Sequence, residues 1–198
     1  LSLLFFFKLI SKKFKSYLYG LFAVLVLFIS PRFFAESFYN SRDIFFLSLF
    51  IFYLTATYNF LLKPNVMNLI YFSFTSALLI YAKIIGIIPP IIFLFLYFLN
   101  LSKKDKLFKR ELNLILLTIP LTFFFVYIIW PFLWNDPFNN FVYYFKEAIV
   151  TQNSHVALTY YFGDWISSTS TPWHYKIVWF FITTPLFISI FFIVGFLY

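Results

Sequence analysis

The sequence predicts an all-α polytopic membrane protein with about six to seven transmembrane helices. Composition is the first reason, because 63% of the 198 residues are hydrophobic and only 11% are charged. Soluble domains carry about 25% charged residues, so a soluble protein of this length would need a far more polar surface. Run length is the second reason, because apolar stretches close to the roughly 20 residues of a membrane span recur along the chain. Lipid is therefore the expected solvent for most of this protein.

Charge clusters and proline or asparagine breaks divide the apolar sequence into successive spans. A partial span ends near Phe7. Full or nearly full spans are predicted at residues 16–31, 44–62, 66–82, 84–99, 112–130 and 177–198. Lys83 stands between two of these spans, and an ammonium group at the bilayer centre costs at least about 3 kcal/mol. We therefore expect Lys83 at an interface, in the turn of a helical hairpin.

The chain is predicted to form one transmembrane region over residues 1–198, without separate domains. It begins inside an apolar stretch with no preceding Met or charged leader, and it ends with an apolar run. We therefore expect an internal fragment of a longer protein.

Basic residues fall mainly on one side of the membrane when the spans alternate. That side receives 10 of the 15 Lys and Arg residues but only 2 of the 7 Asp and Glu residues. The positive-inside rule assigns this side to the cytoplasm. The other side receives segments 31–43 and 130–176 and the turn at Lys83, with basic and acidic residues in equal number. The working face is therefore expected to be extracytoplasmic, and both histidines lie on it.

The extracytoplasmic segment 130–176 is expected to contain a helix that lies in the membrane interface. Apolar residues recur at helical spacing over residues 138–149, and Asp136 followed by Pro137 suits a helix start. Tryptophan and tyrosine residues flank this stretch, which is typical of a membrane interface. The polar and aromatic residues 151–175 that follow are predicted to form a loop.

Charged side chains near the start of one span are the first candidate functional residues. Arg42 and Asp43 stand where residues 31–41, which are predicted to form a loop, enter that span, a depth at which ionisable groups are expected to be paired or functional. The alternative is a local ion pair with Arg32 or Glu36 that only ends a helix.

Lys83 and the two histidines are the remaining candidates that the residues themselves suggest. Lys83 either binds a ligand or extends its ammonium group to the interface as an anchor. His155 and His174 are the only histidines of the chain, and both lie beside aromatic residues on the extracytoplasmic face. The alternative for each histidine is an ordinary surface or core residue without a functional partner.

Several kinds of chemistry are excluded or disfavoured by the sequence. The chain has no Cys, which excludes disulfides, thiolate metal sites and cysteine nucleophiles. It also contains no phosphate-binding glycine loop, no metalloprotease histidine pair and no serine elbow. The net charge of +8 is attributed to orientation in the membrane, so nucleic acid is not an expected partner.

The order of several outer-face stretches resembles a known family. These stretches are residues 31–43, which read PRFFAESFYNSRD, Tyr81-Ala82-Lys83 at the end of a span, residues 130–137, which read WPFLWNDP, Tyr160-Tyr161-Phe162-Gly163 and Pro172-Trp173-His174-Tyr175. Together they are similar to the membrane glycosyltransferases of the protein O-mannosyltransferase and aminoarabinose-transferase type, within the family C glycosyltransferase superfold.

The resemblance implies an integral enzyme of the bacterial plasma membrane that takes a sugar from a polyprenyl-phosphate donor. The acceptor would be a lipid, a protein or a glycan, and transfer would take place at the extracytoplasmic face. Membrane lipids would surround the enzyme. A nucleotide-binding domain is not needed, because the lipid carrier supplies the leaving group.

The resemblance also implies roles for particular residues. Asp43 and His174 would be catalytic. The substrate-binding residues, with Lys83 or Arg42 at the donor phosphate, would be Arg42, Lys83, His155, Tyr175 and Glu36. Members of this family carry their acidic base in the first outer loop, so this fragment is expected to lack the general base. No cofactor is assigned, and a divalent metal ion stays open because Asp43 and Glu36 are too few to define its site.

Two functions of other classes compete with glycosyl transfer. A secondary transporter or permease concentrates polar groups at broken helices near the bilayer midplane, and Lys83 with Gly86 and Pro89-Pro90 is the one feature of that kind. A non-catalytic membrane scaffold is the third hypothesis. It ranks last because a scaffold does not require a segment such as 130–176, with its many Trp, His and Tyr residues.

Overall fold

The computed structural model describes residues 1–101, 108–154 and 158–197. This part of the chain is 82% helical and contains ten α-helices. The helices are α1 (Ser2–Phe14), α2 (Tyr17–Ile29), α3 (Pro31–Tyr39), α4 (Ser41–Leu62), α5 (Val66–Ala82), α6 (Ile88–Leu101), α7 (Phe108–Ile129), α8 (Pro137–Ser154), α9 (Tyr175–Thr183) and α10 (Leu186–Leu197). Two 3₁₀ turns, Ile84–Ile87 and Pro131–Leu133, and two strands, β1 (Leu158–Tyr161) and β2 (Asp164–Ser167), complete the described elements.

Among the described residues, two helices are long and apolar enough to cross a membrane. These are α4, with 22 residues, and residues Glu111–Ile129 of α7, with 19 residues. The number rises to four if each of two bent pairs is one span, namely α2 with α3, bent by 61°, and α9 with α10, bent by 109°. The predicted class of helical membrane protein is therefore confirmed in outline, whereas the six to seven spans are not confirmed.

Helices α4, α5 and α7 form the centre of the bundle. Phe60 of α4 is fully buried and lies against Leu69 of α5 and Ile115 of α7. Small residues on α5 allow α7 to approach closely, since Ser73 and Ser76 are also fully buried. The hydroxyl of Ser73 donates to a backbone carbonyl oxygen of α7 at 3.4 Å. Ring packing and small-residue contact thus hold this core together.

Contacts along the helices define their relative direction. The Lys12 ammonium nitrogen of α1 donates to the Asn59 side chain of α4 at 2.8 Å, near the carboxyl ends of both helices. The ring of Phe93 on α6 lies 4.9 Å from the ring of Phe72 on α5, measured between centroids. Helix α6 therefore runs back along α5, and Lys83 lies at the turn between them. The predicted helical hairpin is confirmed, and we call this end of the bundle the Lys83 end.

A buried hydrogen bond joins two helices at the end of the core opposite Lys83. The hydroxyl of Tyr97 on α6 donates to a carboxylate oxygen of Glu111 on α7 at 3.0 Å. Both residues are buried, at 8% and 7% exposure. A carboxylate removed from water needs such a partner, so this bond fixes α6 against α7.

The sequence correctly predicts several elements. The predicted spans 44–62 and 66–82 correspond to α4 and α5, and the predicted interfacial helix 138–149 lies within α8. Asp136 caps α8 as expected, since its carboxylate accepts the backbone N–H of Asn139 at 3.2 Å.

Three segments differ from their predicted form. Residues 31–39, predicted as loop, form α3, with Pro31 in its first turn. The predicted span 177–198 is divided near Pro185, where Thr184 is extended because a residue before proline disfavours helical angles. Part of the predicted loop 151–175 forms a hairpin of β1 and β2, so the structure is not purely helical.

The hairpin turn explains why that segment is not a loop. Phe162 and Gly163 occupy the two turn positions with φ angles of 51° and 101°. Two successive positive φ angles match the twist of a tight antiparallel hairpin, and glycine supplies one of them without strain. Tyr160 and Trp165 then pair across the strands, with ring centroids 5.3 Å apart.

Candidate functional site

An ion pair joins the two predicted charged residues at the Lys83 end. Asp43 lies in the first turn of α4, and Lys83 follows the last residue of α5. Because α4 begins where the antiparallel α5 ends, the ammonium group of Lys83 meets the carboxylate of Asp43 directly. The same nitrogen lies 5.7 Å from the ring centroid of Phe46. The Lys83 side chain is thus held between a carboxylate and an aromatic face.

Asn40 connects this pair to a second ion pair. Its side-chain oxygen accepts the backbone N–H of Asp43 at 3.2 Å and so caps α4. Its side-chain nitrogen donates to Oδ2 of Asp43 at 2.9 Å and also to a carboxylate oxygen of Glu36. The other carboxylate oxygen of Glu36 lies 3.8 Å from Nε of Arg32. We call Arg32, Glu36, Asn40, Asp43 and Lys83 the polar row.

The polar row is accessible rather than sealed. The side chains of Lys83 and Asp43 retain 32% and 49% exposure, and that of Arg32 retains 63%. Exposed ion pairs are weak and exchange partners readily. The row can therefore offer two cationic groups and two carboxylates to a ligand from outside the bundle.

Sequence reasoning named most of the row but missed its central residue. Glu36, Asp43 and Lys83 were predicted as site residues and are brought together here, whereas Asn40 was not. The signal was present in the sequence, because asparagine three residues before an acidic residue at the start of a helix is typical of a capping position.

Arg42, predicted to bind substrate, does not join the row. Its side chain is exposed, and among the described residues it makes neither an ion pair nor a side-chain hydrogen bond. The local ion pair considered from the sequence forms instead between Arg32 and Glu36.

An aromatic cluster brings together the predicted residues His174 and Tyr175. Both pack against Tyr161 of β1, with ring centroids 5.9 Å and 5.1 Å away. His174 also lies 5.4 Å from the ring of Trp173. The third predicted residue of the outer segment, His155, lies outside the described residues.

Tyr161 is the member of this cluster that was given no individual role at the sequence level. Its hydroxyl is covered and has no hydrogen-bond partner in the described chain. Local burial, followed by the charge of Tyr175, raises the pKa of the Tyr161 hydroxyl, so it is a neutral donor at ordinary pH. Tyr161 belongs to one of the stretches that carry the family resemblance.

A groove links the polar row to the aromatic cluster. It runs between α3 and α9, and one of its two hollows, of about 490 Å³, is lined by Arg32 of the polar row and Tyr175 of the cluster. Arg32 therefore faces both sets of predicted residues. We call this feature the α3–α9 groove.

The described residues provide few ligands for a metal ion. Within residues 1–101, 108–154 and 158–197, no group of three or more His, Asp or Glu side chains could hold one. Glu36 and Asp43 share Asn40 as a hydrogen-bond donor and are each engaged by a cation. These two carboxylates are better described as members of an ion-pair row than as a metal centre.

Comparison of the chain with protein-family models, with curated proteins and with solved structures gave no match.

Proposed function

We propose that this chain is part of an integral membrane glycosyltransferase that moves a sugar from a polyprenyl-phosphate donor to a lipid, protein or glycan acceptor at the extracytoplasmic face. The observation that carries the proposal is the Asp43–Lys83 ion pair at the ends of two bundle helices. Charged groups at the ends of apolar helices are expected to be paired or functional, and this pair is exposed to ligands.

The reaction needs groups that the Lys83 end can supply. The acceptor hydroxyl oxygen bonds to the anomeric carbon of the sugar, the bond from that carbon to the donor phosphate breaks, and the hydroxyl proton passes to a base. Positive charge stabilises the departing phosphate, which suits Lys83. A carboxylate such as Asp43 can orient the sugar hydroxyls. His174 can exchange a proton.

The proposed extracytoplasmic face rests on the distribution of charge. Lys12 and Asn59 contact each other at the end of the bundle opposite Lys83. Lys13, in the last turn of α1, and Lys63, which follows α4, belong to that opposite end and to the side predicted as cytoplasmic. The positive-inside rule then assigns the Lys83 end, together with the aromatic cluster, to the outer side.

The decisive assay measures sugar transfer by the intact protein in native membranes with a labelled polyprenyl-phosphate sugar. Lys83→Met and Asp43→Asn should each lower transfer by about 100-fold, the usual effect of removing an electrostatic group from an active site. His174→Gln should lower it less, by about tenfold, since a water molecule can replace part of a proton-transfer role. Lys146→Gln, an exposed cation of α8 outside the site, is the matched control.

Three results would overturn the proposal. Transfer at the wild-type rate in all three site variants, at equal membrane levels, would exclude the site. Substrate accumulation in vesicles without sugar transfer would favour a transporter. Function that resists every outer-face substitution would favour a scaffold.

The feature that suggested a transporter has a different form in the structure. That interpretation depended on a broken helix at Lys83, Gly86 and Pro89. In the structure α6 folds back along α5, so Lys83 lies in a turn between two helices and not inside an interrupted span.

A further inference from the structure

The α3–α9 groove is more than the link between two sets of predicted residues. It consists of two hollows, of about 590 Å³ and 490 Å³, which share Arg32 and Trp179. Shared lining residues make them one continuous groove. One end is bounded by Tyr175 and Lys176 and the other by Ile182 and Pro185, at the break between α9 and α10.

The groove carries a net positive charge. Arg32 and Lys176 both line it, and Glu36 is the only carboxylate among its described lining residues. Glu36 lies 3.8 Å from Nε of Arg32, and no carboxylate of the described chain lies within ion-pair distance of Lys176. Tyr175 adds a phenol hydroxyl beside these cations. A guanidinium fork, an ammonium group and a hydroxyl donor together suit a phosphate group.

The other end of the groove, beyond Arg32 and Glu36, is bounded by apolar residues. Ile182, which is 70% exposed, and Pro185 line this end. Trp179 stands between the charged and the apolar end, and tryptophan is enriched where headgroups meet hydrocarbon. The groove therefore changes from a cationic end to an apolar end, as a phospholipid changes from a charged headgroup to a hydrocarbon chain.

We propose that the α3–α9 groove binds the phosphate ester of a membrane lipid. The phosphate lies between Arg32 and Lys176, with Tyr175 as a further donor, and the hydrocarbon chain follows Ile182 toward Pro185. The lipid is either an ordinary anionic phospholipid or a polyprenyl phosphate, because both present the same phosphate chemistry on a long chain. This site is separate from the Asp43–Lys83 pair, and it does not depend on whether the protein transfers sugars.

The test measures lipid binding to the full chain by native mass spectrometry from detergent. The probes are phosphatidylglycerol, a polyprenyl phosphate, phosphatidylcholine and inorganic phosphate. The double variant Arg32→Gln/Lys176→Gln should weaken phosphatidylglycerol and polyprenyl phosphate by at least about tenfold, since it removes two charge-assisted contacts. Lys146→Gln removes an exposed cation of the neighbouring segment and should change either affinity by less than about twofold.

The individual outcomes separate the possible ligands. Similar affinity for phosphatidylglycerol and polyprenyl phosphate supports a general lipid-phosphate site, and a clear preference for polyprenyl phosphate supports a carrier-lipid site. Inorganic phosphate that competes as strongly as the lipids would overturn the role of the apolar end. Ile182→Ser should weaken both lipids without changing the affinity for inorganic phosphate.

A second variant protects the test against misfolding of the double variant. Lys176 is exposed on α9, so Lys176→Glu reverses a charge without disturbing a buried contact. This variant should also lose about tenfold in affinity for both lipid phosphates, whereas Lys176→Arg should retain it. Unchanged lipid binding in a folded Lys176→Glu protein, judged by size-exclusion chromatography and circular dichroism, would refute the proposal.

Discussion

The ion pair between Asp43 and Lys83 should contribute a measurable free energy of unfolding. Two unit charges 4 Å apart attract by about 1 kcal/mol in water and by about 4 kcal/mol at an effective dielectric constant of 20. The exposures of 49% for Asp43 and 32% for Lys83 place the pair nearer the first value. Lost side-chain freedom and desolvation offset part of the attraction. We therefore expect a coupling free energy of about 1 kcal/mol.

A double-mutant cycle measures this coupling. Lys83→Met and Asp43→Asn each remove one charge, and the double variant removes both, while the backbone N–H of Asp43 remains available to Asn40 in every case. Reversible unfolding in mixed micelles, followed by circular dichroism, gives the free energy of unfolding of each variant. The coupling should fall as salt is added, because the pair is exposed.

Arg42→Gln is the matched control for stability. Arg42 is adjacent to Asp43, is exposed and forms no ion pair among the described residues, so its replacement should change stability by less than about 0.5 kcal/mol. A coupling below about 0.3 kcal/mol, or a loss in Arg42→Gln equal to that in Lys83→Met, would refute the argument from contact and exposure.

Three further predictions follow from packing and backbone geometry. Phe60→Ala should lower the free energy of unfolding by about 3–5 kcal/mol because Phe60 is fully buried, whereas Phe196→Ala, at an 82% exposed position, should change it by less than about 0.5 kcal/mol. Gly20→Ala should cost about 1–3 kcal/mol in the same assay, since an added Cβ would lie 2.8 Å from a backbone oxygen of α1, whereas a Cβ at Gly195 meets nothing within 4 Å. Gly163→Ala, at a φ of 101°, should cost about 1 kcal/mol and speed amide hydrogen exchange in β1 and β2, while Gly195→Ala should leave that exchange unchanged.

Helices with strong local signals were predictable from the sequence. Helices α4 and α5 each combine an apolar run with clear polar residues at both ends, so their bounds follow from composition. The start of α8 was predictable because Asp136 and Pro137 act within the first turn. Such signals involve residues close together in sequence, and no tertiary contact is needed to interpret them.

The elements that sequence reasoning missed depend on weaker or more distant effects. Helix α3 has only nine residues, and the ring centroids of Phe34 and Phe38 on its surface lie 5.1 Å apart. The bend between α9 and α10 depends on one proline in a run whose composition is that of a continuous span. The hairpin of β1 and β2 depends on the φ angles of two turn residues, which hydropathy does not reveal.

In the candidate site, individual residues were predictable from the sequence, whereas the contacts between them were not. Asp43 and Lys83 were selected one by one because each charge lies at the end of an apolar run. Their direct contact spans 40 positions in sequence and required the antiparallel arrangement of α4 and α5. The contribution of Arg32 was missed for the same reason, since its groove is completed by α9, far along the chain.

The balance of charge distinguishes the two polar features of this protein. The polar row contains two cations and two carboxylates, so its charges satisfy one another through Asn40. The α3–α9 groove contains two cations and one carboxylate, so it carries a net positive charge beside exposed apolar residues. A neutral row is stable without a ligand, whereas an unpaired cation at a lipid interface attracts an anion. The row can therefore hold the helix ends in place before a substrate binds, and Lys176 gives the groove the charge that a lipid phosphate would complete.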